Sequence, residues 1–192
     1  MKEMWTSATY LVTQRTFRIL LQAMSHPGRT YALPGGGCKS GWQMVLQTLL
    51  DPEVSFTVLG NDQPGWEREI RQLTRCPASE VAQADFLIAP EGDSHGELWK
   101  ARRGTLEYPD TGATVIYLVE SLKDQGGEEP ELVLRGPGIQ DAIAPVIQGL
   151  NKHEFLYLQE INREFPLGID GIFIDRVNRI MCLPRSTQIE VR

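Results

Sequence analysis

Three cysteines in 192 residues, Cys38, Cys76 and Cys182, sit far apart and form no short pair. An odd number at such spacing excludes a disulfide framework and a zinc ribbon as readings, and free thiols suit a reducing cytoplasm. No apolar run approaches the roughly 20 residues that span a bilayer. Residues Met1 to Leu11 have neither a charged leader followed by a long apolar stretch nor a small-residue cleavage site. Basic surplus is also missing. The formal charge is −6, which gives no electrostatic footprint for nucleic acid and predicts a cytoplasmic protein that meets neither nucleic acid nor membrane. The basic clusters Arg68-Arg71-Arg75 and Lys100-Arg102-Arg103 read as solvated helix faces.

Reactive constellations are equally scarce. Gly35-Gly36-Gly37-Cys38-Lys39-Ser40 resembles a phosphate loop, but Cys38 and Leu33 stand where that loop needs glycine. No His-x-His or His-x-x-x-His pair is present, so none of His26, His95 and His153 has a local metal partner. His26, just before Pro27-Gly28, reads as a helix C-terminal cap. Ser25 and Ser186 lie outside any Gly-x-Ser-x-Gly elbow. Lys123, beyond a strand, is a non-diagnostic position for a cofactor lysine.

What is present is a hydrophobic fraction of 41%, enough for one domain over residues 1–192, and clear periodicity. Phe17, Leu20, Leu21 and Met24 predict the buried stripe of a helix capped by Thr13 and ended by Pro27-Gly28. Tyr31-Ala32-Leu33 predicts a short strand before a glycine-rich loop. Trp42, Val45, Leu46, Leu49 and Leu50 predict a second helix, stopped by Asp51-Pro52. A third carries Trp66, Ile70 and Leu73 after a loop over 60–65. Strands are predicted over 54–59, 84–89 and 113–119, the last a continuous apolar run suited to a central position covered on both faces. A short helix is expected over 97–103 and a polar loop over 124–130. Glu131 to Arg135 reads as the antiparallel partner of strand 113–119. Helix is expected after Gly138, interrupted at Pro145 and Gly149 and resuming over 150–164. A hairpin flanks Asp175 to Asn178, and 189–191 adds a terminal strand. The alternation predicts an α/β protein with a mixed sheet covered by helices.

Three Gly/Pro corners close the chain: Leu134-Arg135-Gly136-Pro137-Gly138-Ile139, Phe165-Pro166-Leu167-Gly168-Ile169-Asp170 and Leu183-Pro184-Arg185-Ser186-Thr187. They display Arg135, Asp170 and Arg185. Two readings stay open. An Asp–Arg pair could tie two turns together. Alternatively, the arginines could bind a phosphate or phosphonate, for which a guanidinium has a bidentate fit. Gly136-Pro137-Gly138, placed between a strand and an expected helix, is a structural turn or an anion cradle short of one donor.

These corners, with Phe17-Arg18, Leu20-Leu21, Ala23-Met24-Ser25 and Pro27-Gly28, and with Gly104-Thr105, Pro109, Gly112-Ala113-Thr114 and Ser121-Leu122, resemble in order and spacing the H subunit of the bacterial carbon–phosphorus lyase system, the PhnH family. The resemblance implies a fold like a pared-down pyridoxal-phosphate-dependent transferase domain that binds no cofactor. It implies a non-catalytic, essential subunit acting with G, I, J, K and L partners and self-associating as a homodimer when alone. The complex would use MgATP and methylphosphonate to form ribose 1-methylphosphonate 5-triphosphate. Within this chain no catalytic or metal residue is expected. Arg135, Asp170 and Arg185 are candidate ligand-binding residues, under the alternative of a phosphonate- or nucleotide-binding subunit.

Overall fold

A computed structural model describes residues 2–34, 40–125 and 132–192; Cys38, most of the phosphate-loop-like segment and most of the polar loop over 124–130 fall outside it. Elements run α1 (Lys2–Ser25), β1 (Tyr31–Ala32), α2 (Gly41–Leu49), β2 (Phe56–Val58), α3 (Gln63–Thr74), β3 (Phe86–Ala89), β4 (Thr114–Val119), β5 (Ser121–Lys123), β6 (Leu132–Arg135), β7 (Val146–Gln148), α4 (Lys152–Ile161), β8 (Asp170–Asp175), β9 (Arg179–Leu183) and β10 (Gln188–Val191), with 3₁₀ turns at Glu97–Lys100, Pro109–Thr111 and Asn162–Glu164.

The main sheet has six strands in the order β1-β9-β8-β4-β3-β2. β2, β3, β4 and β8 are parallel; β9 and β1 are antiparallel additions. This confirms the α/β class and the mixed sheet. Alternation along the strands splits the core into two layers. Ile88, Ile116, Ile172, Ile174 and Ile180 face one way, packing with Leu20 and Ala23 of α1, Val45 and Leu46 of α2 and Ile70 of α3. Leu87, Val115, Tyr117, Phe173 and Met181 face the other way, with Phe155 and Leu158 of α4 and Leu134 of β6. β4 is central and its apolar run is buried on both sides, as its sequence predicts.

Four expectations are corrected. α1 begins at Lys2, far upstream of Thr13, and Phe17 and Leu21 point to solvent. The stripe that packs inward is Thr16, Leu20 and Ala23. α3 begins at Gln63 rather than after the loop over 60–65, because Pro64 in its first turn is already preset for helix. β6 does not pair with β4. It pairs antiparallel with β10 in a separate two-stranded ribbon, since both edges of β4 are taken by β3 and β8. No helix follows Gly138. Gly136 and Gly138 adopt positive φ (128° and 82°), and Gly138 lies so close to the Ser25 carbonyl that no side chain would fit. The chain therefore doubles back, Ile143 exchanges hydrogen bonds with Leu134, and Val146–Gln148 pairs with β5. Helix resumes only at Lys152, where the Asn151 side chain accepts the His153 N–H. The hairpin β8–β9 and the terminal strand stand as predicted.

Candidate functional site

Two regions at opposite edges of the sheet gather charged side chains. At the edge where the parallel strands begin, acid–arginine pairs fasten loops to the strand starts. Asp85 precedes β3. Its carboxylate accepts the Ser55 N–H (2.8 Å) and hydroxyl (2.7 Å) and pairs with Arg102. Burial pushes this carboxyl up, but the Ser55 bonds and the Arg102 charge outweigh burial and hold it below the ordinary aspartate range. Asp170 opens β8. It accepts from Arg185 at the backbone N–H (2.8 Å), Nε (3.3 and 3.2 Å) and Nη2 (2.6 Å). Arg185 reaches further, donating from Nη1 to the Pro109 carbonyl and from Nη2 to that of Gly112 (3.4 Å). One guanidinium thus joins β8, the turn after β9 and the 3₁₀ turn before β4. The paired-turn reading is what the geometry shows for Asp170 and Arg185.

Arg135 does not join them. It is exposed and donates to the Asp141 carbonyl at 3.3 Å. It does stand directly opposite Gln188 in the β6–β10 ribbon. Gln188 in turn lines a cavity of about 500 Å³ formed with Arg163, Phe165, Arg185, Thr187 and Ile189. The cavity's charged lining residues, Arg163 and Arg185, are both cationic.

At the other edge, where the parallel strands end, lies a second cavity of about 500 Å³. Glu91 follows β3, Glu120 follows β4 and Asp175 and Arg176 close β8, facing the start of α2. Asp175 is fully engaged: it accepts the Val177 and Arg179 N–H groups (3.0 and 2.8 Å), Arg179 Nε (2.7 Å) and the Leu122 N–H (3.3 Å). Asn178, in left-handed conformation, accepts the first N–H of α2 from Gly41 at 2.6 Å. Glu120 and Arg176 meet loosely at 3.4 Å on the exposed rim. This is where ligands sit in many open α/β sheets, yet its lining carries three carboxylates to one guanidinium.

Between the two edges lies a buried network the sequence reading missed. Glu154, wholly buried on α4, accepts the Tyr117 hydroxyl (2.6 Å) and the Ser94 hydroxyl (2.7 Å) and N–H (3.0 Å). Burial, then the Glu154 charge, pushes the Tyr117 hydroxyl well above its ordinary value. The signal was available: Glu154 falls on the same helical stripe as Leu158 and Ile161. A carboxylate on an apolar stripe needs buried partners.

The remaining candidates resolve simply. His26 Nδ1 lies 3.1 Å from the Gln22 carbonyl, the C-terminal cap expected. The basic clusters are partly paired: Arg71 with Glu67, Lys100 with Glu97, Arg102 with Asp85, while Arg103 sits over the Trp99 ring. Cys76 and Cys182 are buried and free; burial, then Asp51 and Asp85, pushes the Cys76 thiol up to about 11. Lys123 is exposed. Among the described residues no three His, Cys, Asp or Glu side chains are grouped to hold a metal, and no helix is long and apolar enough to cross a membrane.

The fold and its cavities define a small α/β domain with a mixed sheet and do not single out one activity. Comparison narrows the class. Residues 6–190 match the family described as "Bacterial phosphonate metabolism protein (PhnH)". The chain is 43% identical over 188 residues to the alpha-D-ribose 1-methylphosphonate 5-triphosphate synthase subunit PhnH of Rhizobium meliloti (strain 1021), covering 92% of this chain and 90% of that protein. It is 34% identical over 183 residues to the putative C-P lyase subunit protein HtxG of Stutzerimonas stutzeri, covering 93% of this chain and 86% of the relative. The chain belongs to the PhnH family.

Proposed function

We propose that this protein is a non-catalytic, essential subunit of a bacterial carbon–phosphorus lyase complex. In that complex it supports formation of ribose 1-methylphosphonate 5-triphosphate from MgATP and methylphosphonate. The observation that carries the reading is 43% identity, over nearly the full length of both chains, to a protein named as a subunit of that synthase. The site geometry agrees. Displacement at a ribose carbon requires a held anion, a metal and a positioned leaving base. Here the most prominent charged corner, Asp170–Arg185, is committed to fastening three loops. The partners in this reading are the G, I, J, K and L subunits, with self-association when the chain is alone.

Exposed apolar side chains would serve as contact surfaces for such partners. α1 exposes Tyr10, Leu11, Phe17 and Leu21, and the turns expose Leu106, Tyr108, Phe165 and Val177. Large apolar side chains left in water mark surfaces that another protein covers. The finer fold likeness, a pared-down pyridoxal-phosphate-dependent transferase domain without the cofactor, belongs to the same proposal. Pyridoxal phosphate should leave the absorbance of the purified chain unchanged. The decisive experiment reconstitutes the synthase from its other subunits with and without this chain. Loss of activity and of assembly in its absence is expected; full activity and normal assembly without it would overturn the reading.

A further inference from the structure

We propose that the outer face of α1 docks an acidic amphipathic helix of a partner subunit. This face serves the subunit role proposed above and rests on that reading. The inward stripe of α1, with Leu20 and Ala23, is already packed against the core. Two rows run along its other side. Tyr10, Gln14, Phe17 and Leu21 recur at i, i+4, i+7 and i+11, so they align along the helix. Tyr10, Phe17 and Leu21 are 68%, 47% and 53% exposed. Apolar anchors at this spacing are how one helix seats on another. Leu11, Arg15, Arg18 and Gln22 keep the same spacing in the neighbouring row, and all four are exposed.

Charge decides what covers these rows. Arg15 and Arg18 are the only charged residues between Met4 and Ser25. Unlike Arg102, Arg179 and Arg185, neither forms an ion pair or hydrogen bond with any of the described residues. With Ile19 and Pro34 they line a groove of about 310 Å³ where α1 meets the chain after β1. In a chain of net charge −6 this face is locally positive, so its complement is an apolar row flanked by Asp or Glu. Two unengaged guanidinium groups suit such a contact, since each can grip a carboxylate bidentately. A second copy of α1 fits poorly. It supplies no carboxylate along this stretch, and antiparallel pairing about a two-fold axis sets one arginine row against the other. An anionic bilayer is also a poor match, because two cations must hold a chain whose overall charge is repelled.

The test assembles the full-length chain with the other synthase subunits and reads stoichiometry and affinity. Arg15→Glu combined with Arg18→Glu should weaken assembly about tenfold or more, and so should Phe17→Ser. Both variants should keep the unfolding midpoint, because the side chains are exposed. Arg68→Glu, an exposed cation on α3, should leave assembly unchanged. Arg15→Lys combined with Arg18→Lys keeps the charge and adds amines, so a zero-length carbodiimide should join α1 to an Asp or Glu of a partner subunit. Failure of the unchanged chain to assemble would overturn the subunit reading and this face with it. Normal assembly by the α1 variants, or an equal loss in Arg68→Glu, would overturn the face alone. So would a change in the isolated chain from dimer to monomer in Phe17→Ser, which assigns the face to a second copy. Binding of the unchanged chain to phosphatidylglycerol vesicles, lost in the Arg15→Glu and Arg18→Glu variant, would assign it to a membrane instead.

Discussion

The two cavities have similar volumes and oppositely charged linings, and the ion pairs around them are of two kinds. At the edge where the parallel strands start, Asp85–Arg102 and Asp170–Arg185 are anchored by further bonds to backbone and hydroxyl groups. At the edge where they end, Asp175–Arg179 is anchored in the same way, but Glu120 and Arg176 touch at 3.4 Å with more than half of each side chain in solvent. Ion pairs of the first kind fix geometry; those of the second contribute almost nothing to stability. The sharpest way to break the comparison is therefore mutational. Arg185→Ala strands Asp170 and frees the carbonyls of Pro109 and Gly112, and should cost about 3 kcal/mol or more in denaturant unfolding. Glu120→Ala or Arg176→Ala should stay within about 0.5 kcal/mol. Equal losses from the anchored and the exposed pair would abolish the distinction.

The next effect in size tests what joins the edges. Tyr117→Phe removes one of the donors to the buried Glu154 carboxylate while leaving the ring stacked on Phe173. The expected loss is about 1–3 kcal/mol by the same unfolding measurement, because a buried oxygen loses its partner. An unchanged midpoint would mean that the network is not a structural strut.

How far the chain could be read from its residues follows the same divide between committed and uncommitted groups. β4 was legible because both its faces are covered, so Val115 to Val119 form an unbroken hydrophobic run, and the β8–β9 hairpin because its turn is short. β6 was legible as a strand but not in its pairing: Leu132 to Leu134 are buried equally well against β10 as they would be against β4. Alternation fixes a face, not a neighbour. The Val146–Gln148 strand was misread as helix because three residues carry too little period to separate the two states. In α1, Phe17 and Leu21 are as apolar as Leu20, and only the packing decides which stripe turns inward. At the site, Asp170 and Arg185 were found because they sit in shaped corners. Thr187 stood in one of the same corners, but the unmet state of its hydroxyl is visible only in three dimensions.

Protonation sharpens the comparison without changing any atom of the starting edge. Asp85 has a carboxyl held below its ordinary value by Ser55 and Arg102 against the opposing effect of burial. A depressed folded value means that the stabilisation is fully present above the unfolded value of about 3.9 and is lost as the pH falls through the folded value. Asp85→Asn should therefore be less stable than the unchanged chain by about 1–2 kcal/mol at pH 7. The gap should hold down to about pH 5 and narrow below about pH 4, read from unfolding midpoints. A gap that is constant to the lowest pH would show that the carboxylate charge contributes nothing there.

The smallest effect is expected in the turn that carries Arg185. Thr187→Val keeps the shape of the side chain and replaces a hydroxyl that has no partner in the protein. Nearly all buried hydroxyls in folded proteins are bonded, so removing a bonded one costs about 1 kcal/mol, whereas removing an unbonded one is neutral or stabilising. The Thr187 backbone N–H still reaches the Pro184 carbonyl at 2.8 Å, so the turn itself is preserved. The variant should unfold within about 0.5 kcal/mol of the original, or later. A clear loss of stability in the ligand-free chain would show that the hydroxyl is already satisfied internally, by a held water.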